Sequence, residues 1–224
     1  MTQQKNTQDP LNMDEALSSS EAFLLKNKNV LLGAVIALVV VVCGYMGYKH
    51  FISEPQELKA SESIFKGERY FAAANYEAAL NGDSIGFKGF AKLSSEFSGT
   101  KAGNLATAYA GLCNAQLGKY EEATKYLNQF DAEDQLVAPA VMATMGNCYA
   151  QLGQLDKAAS TLIKAADNAN SLALSPLYLI QAGQLLEKLG KKAEAVEAYK
   201  LVKNKYANSF QAMDIDKYIE RASK

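Results

Sequence analysis

The sequence predicts an all-α protein in which one N-terminal transmembrane helix precedes an α-solenoid of stacked helical hairpins. Three observations lead there. Ala, Leu, Lys, Glu, Gln and Tyr are plentiful in a chain with four prolines and no tryptophan. With 49% apolar and 21% charged residues, most of it should fold, and as helix. Residues 30–48 contain no charge, and three later segments repeat one another around a glycine.

Residues 1–29 are rich in Gln, Asn, Ser and Asp and read as a polar tail, with a weak amphipathic patch over residues 13–25. The run from Val30 to Tyr48 follows. At about 1.5 Å per residue its length matches the roughly 30 Å hydrocarbon core of a bilayer. Lys26 and Lys28 flank one end, Lys49 and His50 the other, and Tyr45 and Tyr48 stand where interfacial anchors belong. A cleaved signal peptide would start earlier and be followed by a small-residue cleavage pattern, which is missing. A lipoprotein signal would need a small residue before Cys43, where Val42 stands. Gly33 and Ala37 form a small-x-x-x-small pair of the sort that packs helices together. Pro55 should end the flank of the span, leaving residues 49–56 as a juxtamembrane linker and 57–224 as the repeat domain.

The repeats are AQLGKYEEATKYL around Gly118, AQLGQLDKAASTL around Gly153 and EKLGKKAEAVEAY around Gly190. Each glycine follows an apolar helix ending in leucine and precedes an alanine by five residues: Ala123, Ala158 and Ala195. Four residues further stands a large side chain: Leu127, Leu162 or Tyr199. Glycine permits the left-handed conformation that stops a helix. The small alanine then lets the returning helix approach closely, and the large residue fills the space beside it. A lone hairpin leaves apolar faces exposed, so hairpins must stack. A fourth, degenerate unit is expected upstream, with a first helix over 57–80, a turn at Asn81-Gly82-Asp83 and a second helix over 86–97. There EFSGTKA echoes KYANSFQA near Tyr206, and residues 209–222 read as a capping helix.

Chemistry is hard to place on this pattern. His50, the sole histidine, lies at the membrane boundary, so the repeats offer no Ser-His-Asp or Cys-His pair and no His-based zinc site. No phosphate-binding loop occurs, and Gly82, Gly86 and Gly89 do not fit a dinucleotide fingerprint. No catalytic residue, metal site or cofactor is therefore expected. Net charge is −1, and basic and acidic residues balance from Lys49 onward, which argues against a nucleic-acid partner. Cys113 and Cys148 each precede a repeat glycine by five residues and so sit on equivalent helices. Such helices lie about 8–10 Å apart, beyond the roughly 7 Å a disulfide tolerates, so buried free thiols are expected.

These segments resemble tetratricopeptide repeats, three clear and one degenerate, without the early tryptophan of the usual pattern. Tyr149 supplies the mid-helix aromatic in one repeat, whereas Asn114 and Leu186 replace it in the others. The span, the short tail and the degenerate repeats together resemble the YfgM-type family, ancillary subunits of the bacterial Sec translocon. The resemblance implies an inner-membrane protein with a cytoplasmic N-terminus and a periplasmic repeat domain. It would work with the Sec translocon and associated periplasmic chaperones and bind unfolded polypeptide. The flanking charges do not decide orientation, because Lys26 and Lys28 are nearly matched by Lys49 and Lys59.

In a superhelix of this kind the first helices line the inner, concave wall. Here residues 103–117 and 136–152 carry no charge, as in a helix that is buried or awaits an apolar partner. The side chains expected on a peptide-binding wall are Leu105, Ala108, Leu112, Gln116, Asn147, Gln151, Leu177, Ile180 and Gln184. The plainer alternative is that these helices are simply core. With no basic clamp on the wall, binding should depend little on salt. A structural scaffold or oligomerisation module of an envelope complex is the rival function.

Overall fold

The computed structural model describes residue 24, residues 26–132 and residues 134–224. The tail patch over 13–25 lies, residue 24 excepted, outside the described residues. Among these the regular structure is entirely helical, and the chain divides into two compact units, Met1–Pro55 and Gln56–Lys224.

In the first unit, helix α1 (Lys28–Tyr48) contains 21 residues, close to 31 Å at about 1.5 Å per residue, and none of its side chains is buried. It is long and apolar enough to cross a membrane. A π-helical turn (Lys49–Ser53) follows, then helix α2 (Glu54–Ala72). Pro55 was expected to break the helix, but it occupies the first turn of α2. Proline has no N–H to donate, and its ring collides with the carbonyl four residues back. A wider π turn stands immediately upstream, where the Glu54 N–H donates to Lys49 O five residues back.

The second unit is built from hairpins. After α2 come α3 (Tyr76–Asn81) and a short helix α4 (Phe90–Glu96). Then follow the pairs α5 (Lys101–Gln116) with α6 (Tyr120–Leu127), and α7 (Val137–Gln151) with α8 (Leu155–Ala169). The last pair is α9 (Ser175–Lys188) with α10 (Lys192–Lys205), after which a 3-10 turn (Phe210–Asp214) leads into α11 (Ile215–Ser223). The three sequence repeats are thus three helical hairpins, and the capping helix is present.

One hydrogen-bonded turn joins the helices of each pair. Gly118, Gly153 and Gly190 have φ of 75°, 74° and 74°. In each, the glycine N–H donates three residues back and the next N–H five back, as in Gly190 to Glu187 O and Lys191 to Leu186 O. The upstream unit uses the same turn at a place the sequence did not mark. Ala74, with φ of 56°, donates to Phe71 O, and Asn75 donates to Tyr70 O. The expected helix over 57–80 is therefore broken at residues 73–75, and the turn is not Asn81-Gly82-Asp83. Alanine in the left-handed region costs about 1–2 kcal/mol and carries no glycine signal, so the residue pattern points to Gly82 instead. Counting from Ala74, the alanine five residues on is Ala79, as completely buried as Ala123, Ala158 and Ala195.

The large residues fill notches made by a second glycine, seven residues before each turn. A Cβ on Gly111 would lie 2.5 Å from Leu127 Cδ2, and one on Gly183 would lie 2.4 Å from the Tyr199 ring. Leu162 covers Gly146 in the same way. In the upstream unit the equivalent notch, Gly67, is filled by Phe87 and Phe90 from the segment after α3. Asp83 orders that segment. It accepts from Lys66 Nζ (2.7 Å), the Tyr70 hydroxyl (2.6 Å) and the N–H groups of Ile85 and Phe87.

Caps join consecutive units. Thr100 Oγ1 accepts from Gly103 N–H (2.9 Å), and the Glu57 carboxylate accepts from the N–H groups of Lys101 and Ala102 (2.7 and 2.8 Å). Both satisfy donors that the first turn of α5 leaves open. Ser209 repeats the Thr100 arrangement at the C-terminal turn by accepting from Ala212 N–H. That accounts for the echo between EFSGTKA and KYANSFQA. Between the second and third hairpins, buried Ser175 donates to Ala166 O (2.6 Å) and accepts from Ser171 N–H. Cys113 and Cys148 are free and buried in different apolar clusters. Burial pushes the Cys113 thiol up to about 12 and raises Cys148 as well.

Candidate functional site: an amide-lined cleft between first helices

The three first helices α5, α7 and α9 can be compared residue by residue by counting back from the turn glycine. Six before it stand Leu112, Asn147 and Gln184; two before it stand Gln116, Gln151 and Lys188. All are exposed except Leu112, which is half-buried against the Ala123 and Leu127 cluster. Ten before it stand Ala108, Ala143 and Ile180, and this row belongs to the packing between hairpins. Ala108, expected on the binding wall, is only 1% exposed and is closed off by its neighbours, so it leaves the set. Ile180 is half-buried against the C-terminal cluster, and Leu105 against the N-terminal one. Leu177, thirteen before Gly190, is 42% exposed.

The structure gathers two of the expected residues, Asn147 of α7 and Gln184 of α9, into one cleft of about 490 Å³. Gln181, Lys188 and Arg221 line it with them, and Ala150, Leu162 and Leu185 give it an apolar base. The side-chain amides of Asn147, Gln181 and Gln184 form no hydrogen bond with the described residues. Gln116, Gln151 and Leu177 lie outside this cleft. Gln181 was legible in principle, since it stands one turn from Gln184 on the same helix face.

Arg221 arrives from the capping helix and could not have been read from the repeat pattern. Its Nε and Nη2 donate to Glu187 Oε2 and Oε1 at 2.9 and 2.7 Å, and the buried Tyr199 hydroxyl donates to the same carboxylate. The Arg221 hydrogen bonds hold the Glu187 carboxyl below its ordinary value although burial pushes it up, and the bond from Tyr199 lowers it further. The guanidinium also lies 5.0 Å from the centre of the Tyr218 ring. This bidentate pair fixes α11 against α9 and sets one wall of the cleft.

In the upstream hairpin, with Ala74 as the turn residue, Phe65 stands nine before it, in the row of Tyr109, Thr144 and Gln181, and is 63% exposed. Among the described residues no group of three His, Cys, Asp or Glu side chains is placed to hold a metal ion.

Repeated hairpins with one turn geometry, open first-helix faces and a cap define a helical-repeat module of the kind that generally binds proteins and is generally non-catalytic. The family model described as "Tetratricopeptide repeat-like domain" matches residues 21–216, and the chain belongs to that family. A search among curated proteins finds no match.

Proposed function

We propose that this chain is a membrane-anchored protein-binding adaptor and not an enzyme. It serves the bacterial Sec translocon by offering its first-helix wall to exported chains or periplasmic chaperones. The observation that carries this reading is the cleft where Asn147, Gln181 and Gln184 present unused amides over an apolar base. Amides donate and accept, so they can pair with the backbone of many sequences, while apolar contact adds affinity without direction. The resemblance to the YfgM-type family and the membership in a repeat family support it. Residues 30–48 anchor the chain in the inner membrane, with residues 1–29 cytoplasmic and the repeats periplasmic. Tethering holds the groove near the translocon at high local concentration, so weak affinity suffices.

Unfolded export substrates should bind the full-length chain in nanodiscs, and an Asn147→Ala, Gln184→Ala double variant should bind them less. Equal binding by both proteins would remove the groove reading. Protease added to spheroplasts should digest the repeats; protection there would reverse the orientation. A scaffold role draws on Phe210 and Met213, 82% and 80% exposed on the 3-10 turn. A fixed, stoichiometric complex lacking Sec components would favour it.

A further inference from the structure

We propose that the cleft between α7, α9 and α11 selects acidic stretches of extended polypeptide. A side-chain carboxylate is taken by Lys188 and Arg221, while Asn147, Gln181 and Gln184 pair with neighbouring peptide groups. The proposal rests on the polypeptide-binding reading of the same cleft and revises the expectation of salt-independent binding.

Three charged residues line the cleft: Glu187, Lys188 and Arg221. The anion is already satisfied. Glu187 Oε2 accepts from Arg221 Nε, and Oε1 accepts from Arg221 Nη2 and the Tyr199 hydroxyl. Of the cations, Arg221 is only partly used and Lys188 is not paired with any described residue. Arg221 makes its two bonds through Nε and Nη2, which leaves Nη1 uncommitted. Lys188 is exposed and forms no ion pair with the described residues. The cleft thus has one surplus positive charge and more free donors than acceptors, which suits a carboxylate and disfavours an ammonium group.

The charge is also local. Helix α7 carries no charge, so the cations of the cleft come from α9 and α11 alone. The whole chain carries a net charge of −1, so general attraction of anions cannot supply the preference. What remains is short-range pairing at an exposed site. Such pairs change affinity by a factor of about 1.5 to 5 and weaken with salt.

The test uses three unstructured peptides of equal length and apolar content, blocked at both ends, with Glu, Gln or Lys at the same central positions. Blocking makes the internal side chain the sole source of charge. Binding to the full-length chain in nanodiscs of zwitterionic lipid is read by fluorescence anisotropy at low and high ionic strength. At low salt the Glu peptide should bind about two- to fivefold tighter than the Gln peptide, and the Lys peptide weakest. High salt should erase the order. Lys188→Gln should remove most of the difference between the Glu and Gln peptides, and Lys188→Glu should invert it. Lys188 is exposed and unpaired, so neither change threatens the fold. Equal affinity for the Glu and Gln peptides overturns the acidic preference while leaving polypeptide binding in place. A preference that survives Lys188→Glu also overturns it. Failure of every peptide to bind overturns both readings.

Discussion

The upstream hairpin, α2 with α3, and the last one, α9 with α10, solve one packing problem with different residues. In the last, the notch at Gly183 is filled by Tyr199, which belongs to the returning helix of the same hairpin. In the upstream one, α3 ends at Asn81, too early to carry such a residue. The Gly67 notch is filled instead by Phe87 and Phe90, on the chain that Asp83 folds back. The turn residue differs as well, glycine in one and alanine in the other, at nearly the same positive φ. Hairpin closure therefore depends on two conditions, a left-handed turn residue and a large side chain over the helix glycine. The source of that side chain is open.

The sharpest way to break this equivalence is to empty both notches. Phe90 and Tyr199 are fully buried, so Phe90→Ala and Tyr199→Ala should each destabilise by about 3–5 kcal/mol. Denaturant titration of the two variants measures this. A much smaller loss for Phe90→Ala would mean that the inserted segment does not stand in for Tyr199.

Filling a notch from the other side should cost less. Gly183→Ala places a methyl 2.4 Å from the Tyr199 ring, whose hydroxyl is held by Glu187 and cannot retreat freely. Overpacking of about 1–3 kcal/mol should exceed the roughly 1 kcal/mol gained from alanine's helix propensity, giving a net loss in Tm. A rise in Tm would show that the notch is roomier than the packing indicates.

The turns differ in the opposite sense. Ala74→Gly should relieve the strained φ and stabilise by about 0.5–1 kcal/mol after the greater freedom of the unfolded glycine is set against it. Gly190→Ala should destabilise by a similar amount, and the pair forms a reciprocal test by thermal unfolding.

The smallest expected effect is a pH dependence shared by both ends. Burial works to raise the Asp83 carboxyl, but hydrogen bonds from Lys66, Tyr70 and the Phe87 and Ile85 N–H groups outweigh it and hold the carboxyl well below the usual range. Glu187 is lowered chiefly by Arg221. A carboxylate depressed on folding stabilises above its unfolded value and loses that contribution as pH falls through the folded one. Stability should therefore be level above the ordinary carboxylate value and fall below it. Asp83→Asn and Glu187→Gln should each flatten part of that fall. For Glu187 the change should be about 1 kcal/mol or less, because its partner Arg221 is half exposed and screened.

The sequence by itself determined what depends on neighbours a few residues apart. The uncharged run, the three glycine turns with their buried alanines and the terminal cap all rest on hydrogen bonds or packing between positions three to five residues apart. A glycine or an alanine at the right offset is enough to announce them. The tertiary structure alone decided which distant side chains complete those local frames. Glu57 caps α5 across 44 residues, Phe87 and Phe90 close Gly67, and Arg221 reaches Glu187 across 34 residues to build the cleft wall. Sequence offset carries no information at that range, because many acids, aromatics and arginines have the right chemistry. Stacking selects the few that arrive within bonding distance.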